Sequence, residues 1–354
     1  MAAAPSFLWT LAEKLGREWP HLRAAERDAA DERARLAELL AGAIPEDCSF
    51  VVFGSLARGE RTAGSDLDWT LLIDGRTDKA HPRAAREIGA RLVDADVRAP
   101  GPSGVFGNLA FSHPILHQIG GQDDTNRNTT QRILLLLESA AISRPEAHER
   151  VLRMVLDRYV EDDRGLMFGS GAQIIPRVLL NDISRYWRTL TIDFVSKQKE
   201  RDKGWALRNV KLKLSRKLIY VHGLLTCFAA ELHPERGALL GEKGRPIAER
   251  LVDFLLQRTR WRPLDSLAAA CLRPAVRAET ALALFDSYDE FLGVLADAGL
   301  REELGDLHID DLGKSELFRR VSRLGRRFQD EGIHSLFFVD DPELRELITR
   351  HGVF

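Results

Sequence analysis

Cysteine is scarce in this chain: Cys48, Cys227 and Cys271 are the three in 354 residues. They lie far apart and form no C-x-x-C pair, which argues against a disulfide framework or a structural zinc site. Apolar residues reach 44 %, enough for sizeable buried cores, yet no run approaches the roughly 18–20 apolar residues of a membrane span. The opening stretch, MAAAPSFLWTLAEKLGREWPHLR, has neither the basic start nor the continuous apolar segment of a secretory leader. Net charge is −2, so no global field pulls the protein toward nucleic acid or a membrane surface. Also missing are internal repeats, any H-E-x-x-H zinc motif, and the lysine that would make a P-loop of GSGA at 169–172. His113 and His117 stand four apart, but Pro114 argues against a helix through both. These absences leave a reducing, cytoplasmic setting with no membrane as the expectation.

The length suggests two or three modules. Residues 5–44 carry apolar residues at helical spacing, broken by PEDC. SFVVF at 49–53 is a short β-rich run ending at Gly54, and DLDWTLLID at 66–74 is a second strand. In that strand Asp66, Asp68 and Thr70 share one face, with Leu67, Trp69, Leu71 and Ile73 on the other. RAAREIGARLVDA returns to helix, PGPSG at 100–104 is a turn, and VFGNLAFS is a third strand. From about residue 126 onward the pattern is mostly helical. The expected architecture is α+β, with an N-terminal helical segment (1–45), a small mixed-sheet module (46–125) and a large helical domain (126–354).

Two carboxylates at i and i+2 on a strand point the same way, with Cβ atoms about 6–7 Å apart. Like charges that close call for a cation between them. Hard divalent ions such as Mg²⁺ take oxygen ligands and leave room for phosphate oxygens. Gly54-Ser55 ends the neighbouring strand and begins a helix, where backbone N–H groups and the Ser55 hydroxyl suit phosphate and Gly54 removes a Cβ clash. A metal platform facing a phosphate cradle describes a nucleoside triphosphate site.

With those residues assembled, FGSLARGERTAGSDLDWTLLID (53–74) resembles the signature of the DNA polymerase β-like nucleotidyltransferase superfamily. That signature is a hydrophobic residue, Gly-Ser, a spacer of about ten, and Asp-x-Asp in a strand. The spacer ARGERTAGS is similar to that of uridylyltransferases acting on PII signal proteins. The later stretches DDTNRNTTQRILLLLES and LLNDISRYWRTLTIDF resemble bacterial nucleotidyltransferase-like proteins related to those enzymes. The resemblance implies Mg²⁺ or Mn²⁺ on Asp66 and Asp68, an NTP on Gly54 and Ser55, and NMP transfer to an acceptor hydroxyl. It puts Arg58, three residues past Ser55, near the same phosphates. It also implies a third acid on an adjacent strand. VFGNLAFS carries none; Asp96 is the leading candidate, although Asp94 and Asp96 also suit the end of a helix. Asp123 and Asp124 are further options, or N-caps of the helix that follows.

Arg177 to Lys217 holds twelve Lys or Arg against four Asp or Glu, a balance of +8 that leaves −10 for the rest of the chain. On helical wheels Arg185 and Arg188 fall opposite an apolar stripe, and Lys213 and Arg216 fall opposite another. With few glutamates to pair with, these faces are candidates to line the nucleotide cleft, or to bind nucleic acid. Arg216 and His222 also fit an Arg-x5-His spacing that resembles an RNase motif of helical domains partnered with minimal nucleotidyltransferases; a packed histidine is the ordinary alternative. The expected function is Mg-dependent nucleotidyl transfer to a protein, nucleic-acid or small-molecule acceptor. The alternatives are a nucleotide-sensing module without turnover and a helical-domain RNase.

Overall fold

Alternation along the strands builds a sheet buried on both faces. The computed structural model describes residues 6–98, 107–161, 163, 174–200, 204–233 and 247–352; the GSGA stretch and the PGPSG turn lie outside them. Helices α1 (Phe7–Leu15) and α2 (Pro20–Leu39) lead into β1 (Cys48–Phe53), α3 (Gly54–Arg58), β2 (Trp69–Ile73), α4 (Ala80–Asp94) and β3 (Asn108–Phe111). α5 (Ser112–His117), α6 (Asn126–Leu137), β4 (Ser139–Ser143) and α7 (Pro145–Glu161) complete the α/β part. The sheet order is β3-β2-β1-β4, with β1 antiparallel to both neighbours and β2 parallel to β3 across the α4 crossover. Phe50, Val52, Trp69, Leu71 and Ile73 join α2 and α4 in one core, while Val51, Phe53 and Leu72 join α6 and α7 in a second. The face assignment read from DLDWTLLID therefore holds, with the regular strand beginning at Trp69.

Two elements depart from expectation. β4 lies in a region read as helical; SAAIS is short, weakly apolar and half-buried, and its strand character comes from pairing with β1. α5 runs through both His113 and His117, because Pro114 falls in the first turn, where its missing N–H has no helical partner to lose.

The helical part comprises α8 (Arg177–Glu200), α9 (Trp205–Lys211), a π-wound turn (Leu212–Arg216) and α10 (Lys217–Phe228). It continues through α11 (Ile247–Arg258), α12 (Pro263–Cys271), α13 (Ala278–Ala296), α14 (Ala298–Asp306) and α15 (Glu316–Arg326). The N-terminal helices are clamped to it. The Leu8 N–H donates to Asp265 Oδ1 (3.0 Å) at α12, the Leu22 N–H donates to Asp289 Oδ1 (2.9 Å) on α13, and Trp19 stacks on Phe285 at 5.0 Å. α2 thus bridges the helical core and the sheet, which fixes α13 and α14 across the C-terminal end of β1.

Candidate active site at the Gly-Ser turn

Gly54 sits at φ +67°, a left-handed conformation that disfavours side chains. A Cβ built there would also lie 3.3 Å from Asp68 Oδ2, so the Asp68 carboxylate lies close against this backbone. The Phe53 N–H donates to Asp68 O (2.9 Å), locking the end of β1 to the DLD stretch. Between them Thr62 and Ser65 close a turn, the Thr62 N–H donating to Ser65 Oγ (3.1 Å). One cleft is lined by Gly54, Ser55, Arg58, Asp66 and Asp68 from the sheet side, and by Lys211, Ser215, Arg216 and Arg301 from the helical side. Arg301 packs so tightly over Gly64 that a Cβ there would fall 2.5 Å from its Nε.

Charge in the cleft is polarised. Asp66 is exposed and Asp68 half-buried, and neither has an ion-pair partner among the described residues. Burial and the neighbouring Asp66 push the Asp68 carboxyl up to about 6, against the pull of Arg216. Burial, with Arg301 nearby, lowers Lys211 to about 8. Two unpaired oxygen donors, one resisting ionisation, fit a hard divalent cation. Facing them, Lys211, Arg216 and Arg301 suit an anionic ligand. α3 is a single five-residue turn, so these cations supply more of the positive potential than its dipole does.

The structure gathers Gly54, Ser55, Arg58, Asp66, Asp68 and Arg216 as the sequence suggests, but Arg58 has another job. It is buried, with Nε donating to Glu60 Oε2 (2.9 Å) and Nη1 donating to Glu138 Oε2, and Tyr288 Oη donates to the same Glu60 oxygen (2.9 Å). Burial opposes its charge, but the two glutamates more than offset that and raise its pKa. Its guanidinium is thus committed to protein carboxylates.

Four expected site residues stand outside the cleft. Asp96 is exposed at φ +54° just after α4, in a neighbouring groove that shares Ser65 and Asp66 with the cleft. Arg185 donates to Asp124 Oδ2 (3.1 Å) and to the Asp124 carbonyl (2.6 Å). Arg188 is exposed on α8 near Tyr220. Lys213 packs on Gly325 of α15. The π-wound turn explains the last error: it shifts the helical phase, so Lys211, Ser215 and Arg216 reach the cleft where a regular wheel groups Lys213 with Arg216. Lys211, Arg301 and Glu138 were missed. Lys211 lies inside the basic stretch, but nothing local marks Arg301 or Glu138.

Asp124 caps no helix; Thr125 is the N-cap of α6. Asp124 instead pairs with the fully buried Arg132 (2.8 Å). His222 has no exposed surface, its ring nitrogens lack partners among the described residues, and burial lowers it to about 3, so it is a neutral core residue unsuited to RNA cleavage. Asp47, Cys48 and His81 form a compact group at the opposite end of β1. There His81 Nδ1 accepts the Asp78 N–H (3.3 Å), so Nε2 carries the proton toward Asp47 (2.9 Å), the tautomer of an internal hydrogen bond and not of a metal ligand.

No helix among the described residues is long and apolar enough to cross a membrane. No curated protein and no solved structure matches the chain. Residues 21–101, which contain Gly54, Ser55, Asp66 and Asp68, match the family model described as "Putative nucleotidyltransferase DUF294", consistent with a nucleotidyltransferase-like superfamily.

Proposed function

We propose that the chain transfers a nucleoside monophosphate from an NTP to an acceptor hydroxyl, releasing pyrophosphate. The observation that carries this reading is the single cleft in which unpaired Asp66 and Asp68 face Lys211, Arg216 and Arg301 beside the Gly54-Ser55 turn. Asp66 and Asp68 would hold Mg²⁺ or Mn²⁺, which supplies charge neutralisation at the triphosphate when bound. The Gly54-Ser55 backbone and the three cations would bind the β- and γ-phosphates, leaving the α-phosphorus toward the aspartates. The acceptor oxygen forms the new P–O bond as the bond to pyrophosphate breaks, so attacking and leaving oxygens must lie in line. With Asp96 outside the cleft, and Glu60 and Glu138 both committed to Arg58, we assign the acceptor proton to the substrate phosphates. A protein hydroxyl, usually a tyrosine, is one acceptor the resemblance to PII-modifying enzymes suggests; a nucleic-acid end and a small molecule are the others.

The test is incubation with each α-labelled NTP, Mg²⁺ and a lysate, following pyrophosphate and labelled product. Label transferred to a macromolecule or small molecule, and lost with Asp68→Asn, supports transfer. The third carboxylate lining the cleft among the described residues, Glu60, is held by Arg58 and Tyr288 through Oε2, which favours one competing reading, a nucleotide sensor. It predicts saturable NTP binding with no pyrophosphate under any of these conditions.

A further inference from the structure

A second cavity lies in the helical part, about 360 Å³ in volume and sharing no lining residue with the cleft. That size falls within the range of small-molecule sites, about 300–1,000 Å³. Its walls come mainly from α10, α12, the end of α11 and Phe7 of α1. Most of them are apolar: Phe7 and Trp261 pack ring to ring at 4.6 Å, and Leu225, Ala229 and Ala270 continue the surface.

Polar side chains break it at Thr226, His233, Ser266, Arg258 and Arg273. Arg258 is half-buried, with its guanidinium 3.9 Å over the Trp261 ring and 4.8 Å from that of Phe254, and has no carboxylate partner among the described residues. Burial lowers it to about 10, so it stays cationic at neutral pH. Ring stacking holds the guanidinium plane but leaves its in-plane N–H donors free for an anion. The other arginine at the cavity, Arg273, is already paired with Asp341 and Glu343 (2.6 Å to the latter).

We infer that this cavity binds a small amphipathic monoanion, with an apolar body against Phe7 and Trp261 and one anionic head on Arg258. One uncommitted cation in an apolar wall selects a single negative charge; a triphosphate would place several charges where one guanidinium answers them. The site is independent of the nucleotidyl-transfer reading.

The test uses the full chain with two fluorescent probes of similar shape, anionic anilinonaphthalenesulfonate and neutral N-phenyl-1-naphthylamine. The sulfonate should bind saturably at one site. Arg258→Met should weaken it about tenfold or more, as expected for loss of a charge-assisted hydrogen bond, and leave the neutral probe within about twofold. Ala270→Phe, which fills the cavity, should abolish binding of both. Should that variant fail to fold by circular dichroism, Ala229→Leu serves instead, narrowing the cavity and weakening both probes. Sulfonate affinity unchanged in Arg258→Met, or lost in Arg216→Met instead, overturns the proposal.

Discussion

The chain contains two buried arginine networks built from the same parts. Each has one guanidinium, two carboxylates and one tyrosine hydroxyl: Arg58 with Glu60, Glu138 and Tyr288, and Arg132 with Asp124, Asp182 and Tyr159. Their completeness differs. Arg132 uses Nε on Tyr159 Oη (3.0 Å) and both Nη atoms on acids, and Arg185 adds a second cation to Asp124. That network balances its charges and joins α6, α7 and α8 away from the cleft. Around Arg58 the carboxylates outnumber the guanidinium, Glu60 Oε1 is buried without a partner, and Glu138 acts electrostatically on Asp68. A satisfied network is a lock; an unsatisfied one beside a cleft keeps its field available to the site.

The largest effect should come from the cleft. Asp68→Asn is expected to cut label transfer by about 10³-fold or more. The same substitution should raise thermal stability without metal. A carboxyl whose folded pKa is raised from 3.8 to about 6 destabilises the fold as it ionises; the cost grows through that window and is complete above it. Asn removes it, a gain of up to about 3 kcal/mol at pH 7. Mg²⁺ should raise the melting temperature of the wild type and not of Asp68→Asn, and wild-type Mg²⁺ affinity should fall below about pH 6 as Asp68 protonates.

Next come the two arginine networks. Arg132→Met should cost about 3–5 kcal/mol in denaturant unfolding, since it strands two buried acids. Activity per folded molecule should stay unchanged. Burial raises Asp124 but its bonds to Arg132 prevail and hold it below the usual carboxylate range, so that stability is present at neutral pH and lost as pH falls through the lowered value. Arg58→Met should cost about 3 kcal/mol by the same reasoning, yet also shift the acid limb of the pH–rate profile upward, because Asp68 loses the pull of Arg58 while the push of Glu138 remains. Equal pH profiles in the two variants would erase the distinction between the networks.

How much of this the sequence discloses depends on range. Gly54, Ser55, Asp66 and Asp68 were legible because short-range rules govern them: a left-handed glycine, strand parity, a turn. So were β1, β2, β3 and the amphipathic helices. The strand β4 was not, because its character comes from pairing with β1, about ninety residues away in sequence. Arg301 was not, because it enters the cleft from α14 through tertiary packing. Arg58 lies in the cleft as expected, but its pairing with Glu138, eighty residues away, is not legible locally. A helical wheel assumes regular winding, and the π-wound turn at Leu212–Arg216 breaks that assumption where the cations enter the cleft.

The smallest effect tests the basic faces themselves. Arg185 is one-third exposed, and its pairing with Asp124 adds to one that Arg132 already provides. Arg185→Met should therefore cost about 1 kcal/mol or less, and leave NTP affinity unchanged in a direct titration. Arg216→Met, on the same basic stretch, should weaken NTP about tenfold, since it lines the cleft and acts on Asp68. The pair separates charge density from placement. Equal losses of NTP affinity in both variants would mean that the basic stretch acts as a diffuse field, and that the phase shift introduced by the π-wound turn has no part in selecting which cations serve the site.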